Sequence, residues 1–359
     1  MEQVVVIGAG QAGASLISRL RSQGYTGRIV LIGAEDSLPY QRPPLSKAYM
    51  LGKMERHRLL LRPPAYYEEH GIEVMTGTRA AGIDPRAHRI RLQDGRDIAY
   101  DRLALTTGSV PRMLPEAMGG RLPGVYALRD LRDADALRGE LRPGARVVIV
   151  GGGYIGLEAA AVMAQSGLQV RLLEAESRIL ARVAAPQTSA WFSELHRRHG
   201  VEIICGAAIT RLVEREGRVA GAELADGTVL EADFVVIGIG IRPETALAES
   251  AGLAIENGIR LDTACRSSDP DIFAAGDCAS FPWRGRRIRL ESVQNAIDQG
   301  EAAADAMLGR PVEYAPVPWF WSDQYDVKLQ IAGLNAGYDR IVTRQGSREG
   351  AISFWYYAG

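Results

Sequence analysis

Gln3-Val4-Val5-Val6-Ile7-Gly8-Ala9-Gly10-Gln11-Ala12-Gly13 decides the class of this chain. The apolar run reads as a buried strand, and Ala14, Leu16, Ile17 and Leu20 then recur at helical spacing. A second apolar run, Arg28-Ile29-Val30-Leu31-Ile32, ends shortly before Glu35 and Asp36. The order is strand, Gly8-x-Gly10-x-x-Gly13, helix, strand, acid. In that βαβ context the glycines permit a tight turn and let a pyrophosphate approach the helix N-terminus, whose N–H groups and dipole favour negative charge. An acid after the second strand can accept hydrogen bonds from ribose hydroxyls; Glu35 is the first choice and the adjacent Asp36 the second.

The pattern returns further on. Residues 146–150 form a strand, Gly151-Gly152-Gly153-Tyr154-Ile155-Gly156 repeats the glycine spacing, 157–166 reads as a helix, 170–173 as a strand, and Glu174 is the acid. Two complete units in one chain imply two nucleotides and a reaction that passes something between them. After Glu174 come Ala175-Glu176-Ser177, with no arginine to meet a 2′-phosphate, which favours NADH over NADPH. Arg178 and Arg182 lie close enough to leave the second nucleotide open, and Arg182 alternatively faces the adenine or the pyrophosphate.

With 359 residues the chain suits two or three domains, each with its own core. The balance of 42 Lys and Arg against 43 Asp and Glu provides no global field for nucleic acid or membrane binding. The first apolar run starts at Val4, so no signal peptide is expected, and no apolar segment approaches the ~20 residues of a membrane span. A cytoplasmic location is expected. Cys205, Cys265 and Cys278 are far apart, so neither zinc nor a local redox disulfide is expected, and all three read as buried or incidental thiols.

Between and after the two units, several stretches carry further signals. Residues 38–47, Leu-Pro-Tyr-Gln-Arg-Pro-Pro-Leu-Ser-Lys, break regular structure at Pro39, Pro43 and Pro44. Two alternatives stand for this loop: a solvated surface turn, or a rigid frame that holds Arg42 and Lys47 over a bound anion. Alternating runs across 59–101 suggest an antiparallel meander, and 201–240 repeat that texture. The strand ending in Thr106-Thr107-Gly108-Ser109 presents small residues that let a ligand approach, although a plain turn explains them equally. Helices are expected over 128–141 and 296–308. The run Ile272-Phe273-Ala274-Ala275-Gly276-Asp277 delivers a carboxylate at a strand end directly after a glycine, an ordinary strand-end turn when taken alone but, beside two nucleotide units, an arrangement suited to clamping a cofactor. The arginines at 284, 286, 287 and 289 read by default as a solvated face. In Trp319-Phe320-Trp321-Ser322-Asp323-Gln324 at least two of the three rings are expected in the core. The final strand, ending at Ala358-Gly359, is expected to lack a partner.

Taken in order, Gly8-x-Gly10-x-x-Gly13, Pro39-Tyr40-x-Arg42-Pro43-Pro44-Leu45-Ser46-Lys47, Leu105-Thr106-Thr107-Gly108, Gly151-x-Gly153-x-x-Gly156-x-Glu158, Gly276-Asp277, Glu291-Ser292-Val293-Gln294-Asn295 and Trp319-Phe320-Trp321-Ser322-Asp323-Gln324 are similar to motifs of the FAD-dependent ferredoxin reductases that serve bacterial oxygenases. These reductases have a glutathione-reductase-like fold, and the resemblance covers essentially the whole chain. It implies an α/β protein with two Rossmann-like domains: a split FAD domain (1–112 and 241–318), an NAD domain (113–240), and a C-terminal α+β interface domain (319–359) that is incomplete, since such proteins continue for several tens of residues.

By position, the resemblance implies that Gly8, Gly10, Gly13 and Glu35 hold the ADP half of non-covalently bound FAD. Arg42 and Lys47 reach its phosphate and ring regions, Thr107 and Gly108 also bind FAD, Asp277 accepts from the ribityl chain, and Val293 offers backbone to the flavin edge. Gly151, Gly153, Ile155, Gly156, Glu174, Arg182, Gly240 and Glu291 hold NADH. Glu158 partners Lys47 beside the reactive flavin nitrogen, and Trp321 lies against the ring. The implied activity passes electrons from NADH through FAD to a [2Fe–2S] ferredoxin that supplies a cytochrome P450 or Rieske oxygenase. Neither a metal, a nucleic acid nor a membrane is called for, and the oligomeric state stays open. A dithiol reductase needs a cysteine pair where this chain has Arg42 to Lys47. An apoptosis-inducing-factor-like flavoprotein that senses redox state without fast turnover is the alternative.

Overall fold

The computed structural model describes residues 1–348 and 350–359. They divide into two compact units, one formed by Met1–Gln41, Arg56–Val110 and Arg242–Phe320, the other by Arg42–Glu55, Pro111–Ile241 and Trp321–Gly359.

In the first unit a five-stranded parallel sheet runs in the order Ile272–Ala274, Arg102–Leu105, Gln3–Ile7, Arg28–Ile32, Ile72–Met75. Val4, Val5, Val6, Ile29, Val30, Leu31, Leu103 and Ile272 are wholly buried, as strands covered on both faces should be. The helix Gln11–Ser22 packs on the helix Val293–Met307. The two come close because Gly300 has no side chain; a Cβ there would stand 2.6 Å from the Ala12 carbonyl oxygen. An antiparallel meander of Ala80–Asp84, Arg89–Leu92 and Asp97–Ala99 fills part of the interval that alternation had marked.

The second unit repeats the design with Glu202–Cys205, Gln169–Glu174, Arg146–Val150, Phe234–Ile237 and Val125–Tyr126, all parallel. In both sheets the strand before the glycine loop is central, with its βαβ partner on one side and a later strand on the other. Each loop therefore leaves the sheet where the winding reverses, the place at which open α/β sheets bind ligands.

The segment Arg42–Glu55 groups with Pro111–Ile241; Leu45 and Tyr49 are buried, and the Tyr49 hydroxyl donates to Asp135 Oδ1 at 2.6 Å. Two expectations need correction, the start of one helix and the partner of the last strand. The helix expected from Ala296 begins at Val293, because Ser292 caps it and accepts from the Asn295 N–H at 3.2 Å. From Trp319 onward the described residues form four strands. The last of them, Ile352–Tyr357, is not partnerless; it pairs antiparallel with Arg340–Gln345.

Burial along Trp319–Gln324 inverts the expected pattern: all three rings are half-buried, whereas Ser322 and Gln324 are fully buried. Cys265 and Cys278 are buried free thiols, but Cys205 is exposed. Among the described residues no helix is long and apolar enough to cross a membrane.

Removing the Ser292 cap by Ser292→Ala should lower unfolding stability by about 1 kcal/mol. The check is the shift in denaturant midpoint at constant slope.

Candidate functional site

Three glycines in each loop do three different jobs. Gly8 (φ +118°) and Gly151 (φ +108°) make the turn out of the strand, and a Cβ on either would strike backbone of a neighbouring segment: the Thr106 carbonyl oxygen at 2.1 Å and the Gly238 carbonyl oxygen at 2.4 Å. Gly13 and Gly156 let helix and strand close together, since a Cβ would meet the carbonyl oxygens of Gly8 at 2.2 Å and Gly151 at 2.0 Å. Gly10 and Gly153, the middle members, face open space, with nothing within 4 Å of an added Cβ. Each is the N-cap of the following helix, without a side-chain cap and with no acid in the first turn. Two helix N-termini thus present backbone N–H groups beside an open cradle, which fits a pyrophosphate at each.

The acids differ. Glu35 is half-buried and its Oε2 accepts from the Tyr40 hydroxyl at 2.5 Å, while Asp36 is exposed. The Glu174 carboxylate is held by backbone: Oε2 accepts from the Gly152 N–H at 2.6 Å and Oε1 from the Glu176 N–H at 2.9 Å. Arg178 is committed elsewhere, to the carbonyls of Ala181 and Ala184 and the Ser189 hydroxyl. Arg182 is exposed and its guanidinium comes within 3.8 Å of where a Gly240 Cβ would lie. Ile155, in the first turn after Gly153, is an exposed apolar residue.

Asp277 Oδ2 accepts from the Ser109 hydroxyl at 2.8 Å. The glycine before it has φ +84°, and its N–H donates to Gln299 Oε1 at 2.9 Å. Gln299 also accepts from Asn295 Nδ2, and Asn295 Oδ1 from the Tyr314 hydroxyl at 2.9 Å, so polar residues of the Val293–Met307 helix hold the Gly276 backbone beside Asp277. Gln299 Nε2 is buried with no hydrogen-bond partner. Thr107 and Gly108 pair with Glu244, whose carbonyl accepts from Thr107 Oγ1 at 2.6 Å. It is Thr106 whose hydroxyl braces the first glycine loop, donating to the Gly8 carbonyl at 2.8 Å. Val293 is the first residue of its helix, where an N–H has no carbonyl one turn back. Glu291 pairs with Arg289 at 2.6 Å and belongs to the first unit, whereas the other residues proposed beside it belong to the second.

Lys47 and Glu158 are brought together. Lys47 Nζ lies 2.6 Å from Glu158 Oε2, with 19% and 4% of the side chains exposed. Glu158 sits one turn into the helix Tyr154–Gln165, and Lys47 follows the short 3-10 helix Pro43–Ser46. A buried carboxylate needs every lone pair answered. Oε2 also accepts from the Ser46 hydroxyl at 2.5 Å, and Oε1 from the Ser322 hydroxyl at 2.6 Å. Sequence reasoning quoted both serines inside motifs but gave neither a role. Arg42 donates to the Arg129 carbonyl at 2.9 Å. Trp321 occupies the strand face opposite Ser322, and its ring is half-buried.

The polar face of that strand continues inward. Gln324 Nε2 donates to Ser322 Oγ at 3.2 Å, and Gln324 Oε1 lies 2.8 Å from His196 Nε2. The Tyr325 hydroxyl stands 3.1 Å from His196 Nδ1, and the Tyr325 ring stacks on His199. Burial pulls the His196 pKa down from 6.5 to about 4, against the opposing hydrogen bond with Gln324. The unfolded chain takes up a proton at His196 near pH 6.5 and the native state only near 4, so stability falls with pH across that window. From pH 7 to pH 5 the loss from this residue is about 2 kcal/mol. Denaturant unfolding of the parent and of His196→Gln at both pH values should show the variant without that share of the acid loss.

With this geometry in place, comparisons with known proteins identify its relatives. Residues 2–300 match the model described as pyridine nucleotide-disulphide oxidoreductase, and 319–359 the model described as reductase C-terminal. Rhodocoxin reductase of Rhodococcus erythropolis is 42% identical over 99% of this chain and 84% of its own length. The anthranilate 1,2-dioxygenase system ferredoxin–NAD(+) reductase component of Burkholderia cepacia is 39% identical over 99% and 87%. The crystal structure of the covalent putidaredoxin reductase–putidaredoxin complex superposes with a TM-score of 0.96 at 40% identity, covering 100% of this chain and 87% of that one. By fold, loop geometry and descent, the chain belongs to the pyridine nucleotide-disulphide oxidoreductase family.

Proposed function

We propose that this chain is a ferredoxin–NAD(+) reductase that passes electrons from NADH through tightly but non-covalently bound FAD to a [2Fe–2S] ferredoxin, which in turn supplies a cytochrome P450 or Rieske oxygenase. One observation carries the proposal: two complete dinucleotide cradles in one chain whose relatives include named ferredoxin reductases. FAD held there would supply the conversion of a two-electron donor into single electrons, which an iron–sulfur acceptor requires.

The residues of the chain bind, position and balance charge. Gly8, Gly10, Gly13 and Glu35 take the ADP half of FAD, with Arg42, Lys47, Thr107, Gly108, Asp277, Val293 and Trp321 along the rest. Gly151, Gly153, Ile155, Gly156, Glu174, Arg182, Gly240 and Glu291 take NADH. Lys47, Glu158 and Trp321 act at the flavin ring. In the loop where a dithiol reductase carries its cysteine pair, this chain has Ser46 and Lys47, so electrons leave by an outside carrier and not through a protein disulfide. The reaction belongs in the cytoplasm, where NADH is drawn on and where free thiols such as Cys265 and Cys278 persist. Arg284 and Arg286 are exposed and stack on Trp283 at 4.7 and 5.4 Å, by default a solvated face with ferredoxin docking as the alternative; Arg287 and Arg289 are half-buried and paired with Glu256 and Glu291.

An anaerobic NADH titration followed by visible absorbance should bleach one flavin per NADH, and NADPH should be a poor substitute. Protein that binds no flavin, or that prefers NADPH, refutes the assignment. Fast cytochrome c reduction that depends on added ferredoxin separates this reading from a redox sensor, which would form a long-lived reduced complex instead.

Glu174→Ala should raise the dissociation constant for NADH roughly 10- to 100-fold while flavin content is kept, the scale of a lost hydrogen bond to a charged group. Activity with ferredoxin should fall steeply as salt rises, whereas ferricyanide reduction should not. Equal salt dependence removes the arginines from docking.

A further inference from the structure

The Lys47–Glu158 pair is the end of a longer chain of hydrogen bonds, and its direction can be worked out. Gln324 Nε2 donates to Ser322 Oγ, so the amide oxygen is the atom left facing His196. A carbonyl oxygen only accepts, so His196 Nε2 carries the proton. His196 is neutral, because burial disfavours its charged form, so Nδ1 is bare and accepts from the Tyr325 hydroxyl. Ser322, having accepted from Gln324, donates to Glu158 Oε1. Every donor in the sequence Tyr325, His196, Gln324, Ser322 points toward the carboxylate, and His196, Gln324 and Ser322 are fully buried.

We propose that His196 is a positioning residue for this reductase: through Gln324 and Ser322 it fixes the orientation of the Glu158 carboxylate, so that Oε2 stays turned to Lys47. The proposal rests on the reading that Lys47 and Glu158 act in flavin reduction.

The physical case is one of rotamer choice. An amide has two ends of similar shape, and without a neighbour that only donates at one side Gln324 can turn over. It would then offer its oxygen to Ser322, which would have to donate to Gln324 and no longer to Glu158. Oε1 would lose its partner in a buried site, and the carboxylate would be free to rotate away from Lys47. With its proton on Nε2, His196 opposes that state, because Nε2–H cannot serve an NH2 group; the flip would also force the proton to Nδ1. Packing alone would not select it, since the two amide orientations fill the same volume.

Two measurements on the purified flavoprotein test this. In protein labelled with ¹⁵N-histidine, His196 should hold the Nε2–H tautomer between pH 6 and 8, and its Nε2–H exchange with solvent should accelerate in Ser322→Ala. In stopped-flow reduction by NADH, His196→Phe and Ser322→Ala should each slow flavin reduction on the order of fivefold, without changing the NADH dissociation constant, and His196→Gln, which restores an N–H donor, should recover the rate. Combined with Lys47→Ala, neither should slow reduction further, because the chain acts only through the pair. If His196→Phe does not fold, Ser322→Ala breaks the same chain with one atom removed. An Nδ1–H tautomer, parent rates in both variants, or losses that multiply with that of Lys47→Ala overturn the positioning role while leaving the pair in place. A parent rate in Lys47→Ala itself overturns both readings.

Discussion

Burying the Glu158 carboxylate constrains more of this protein than any other single contact. An ionised group taken out of water must find a countercharge and enough donors, or the fold cannot hold it. Here the countercharge comes from Lys47, more than a hundred residues earlier, and the donors from Ser46 and from Ser322, far downstream. Those partners explain why Arg42–Glu55 and the strand Trp319–Gln324 are drawn to the helix Tyr154–Gln165. Proline framing at 43 and 44 shortens the loop into a single 3-10 turn, so Ser46 and Lys47 reach the same oxygen.

The two glycine loops were legible because their geometry is local. A glycine that turns the chain, one that faces the ligand and one that lets helix meet strand must occur at fixed spacing, and flanking strands betray themselves by apolar runs. Gly8, Gly10, Gly13 and Gly151, Gly153, Gly156 stand where that logic placed them. The parallel order of both sheets follows from the βαβ connections. Lys47 meeting Glu158 was legible only through resemblance, since nothing in either sequence neighbourhood names the other.

Other features resisted for identifiable reasons. An aromatic strand normally buries its rings, but Trp319–Gln324 turns its hydroxyl and amide inward because Glu158 and His196 need partners there. Periodicity reports which residues share a face and not which face is inside. The start of the helix at Val293 was missed because Ser292 follows an acid and precedes a β-branched residue, so the cap carried no helical signal until its hydroxyl was seen to bind the Asn295 N–H. Thr106 and Thr107 are neighbours of the same type, and only the φ of +72° at Gly108 and the pairing with Glu244 decide which of them braces Gly8.

The interleaving of the two units has a consequence for how the chain is made. The first sheet is unfinished until Ile272–Ala274 leaves the ribosome, by which time the whole of Pro111–Ile241 has been synthesised. Until then Arg102–Leu105, wholly apolar after its first residue, stands as an open edge, the kind of surface that pairs with strangers. Vectorial synthesis therefore completes the inner unit's sheet before the outer one's, and the nascent chain is most exposed to aggregation during that interval.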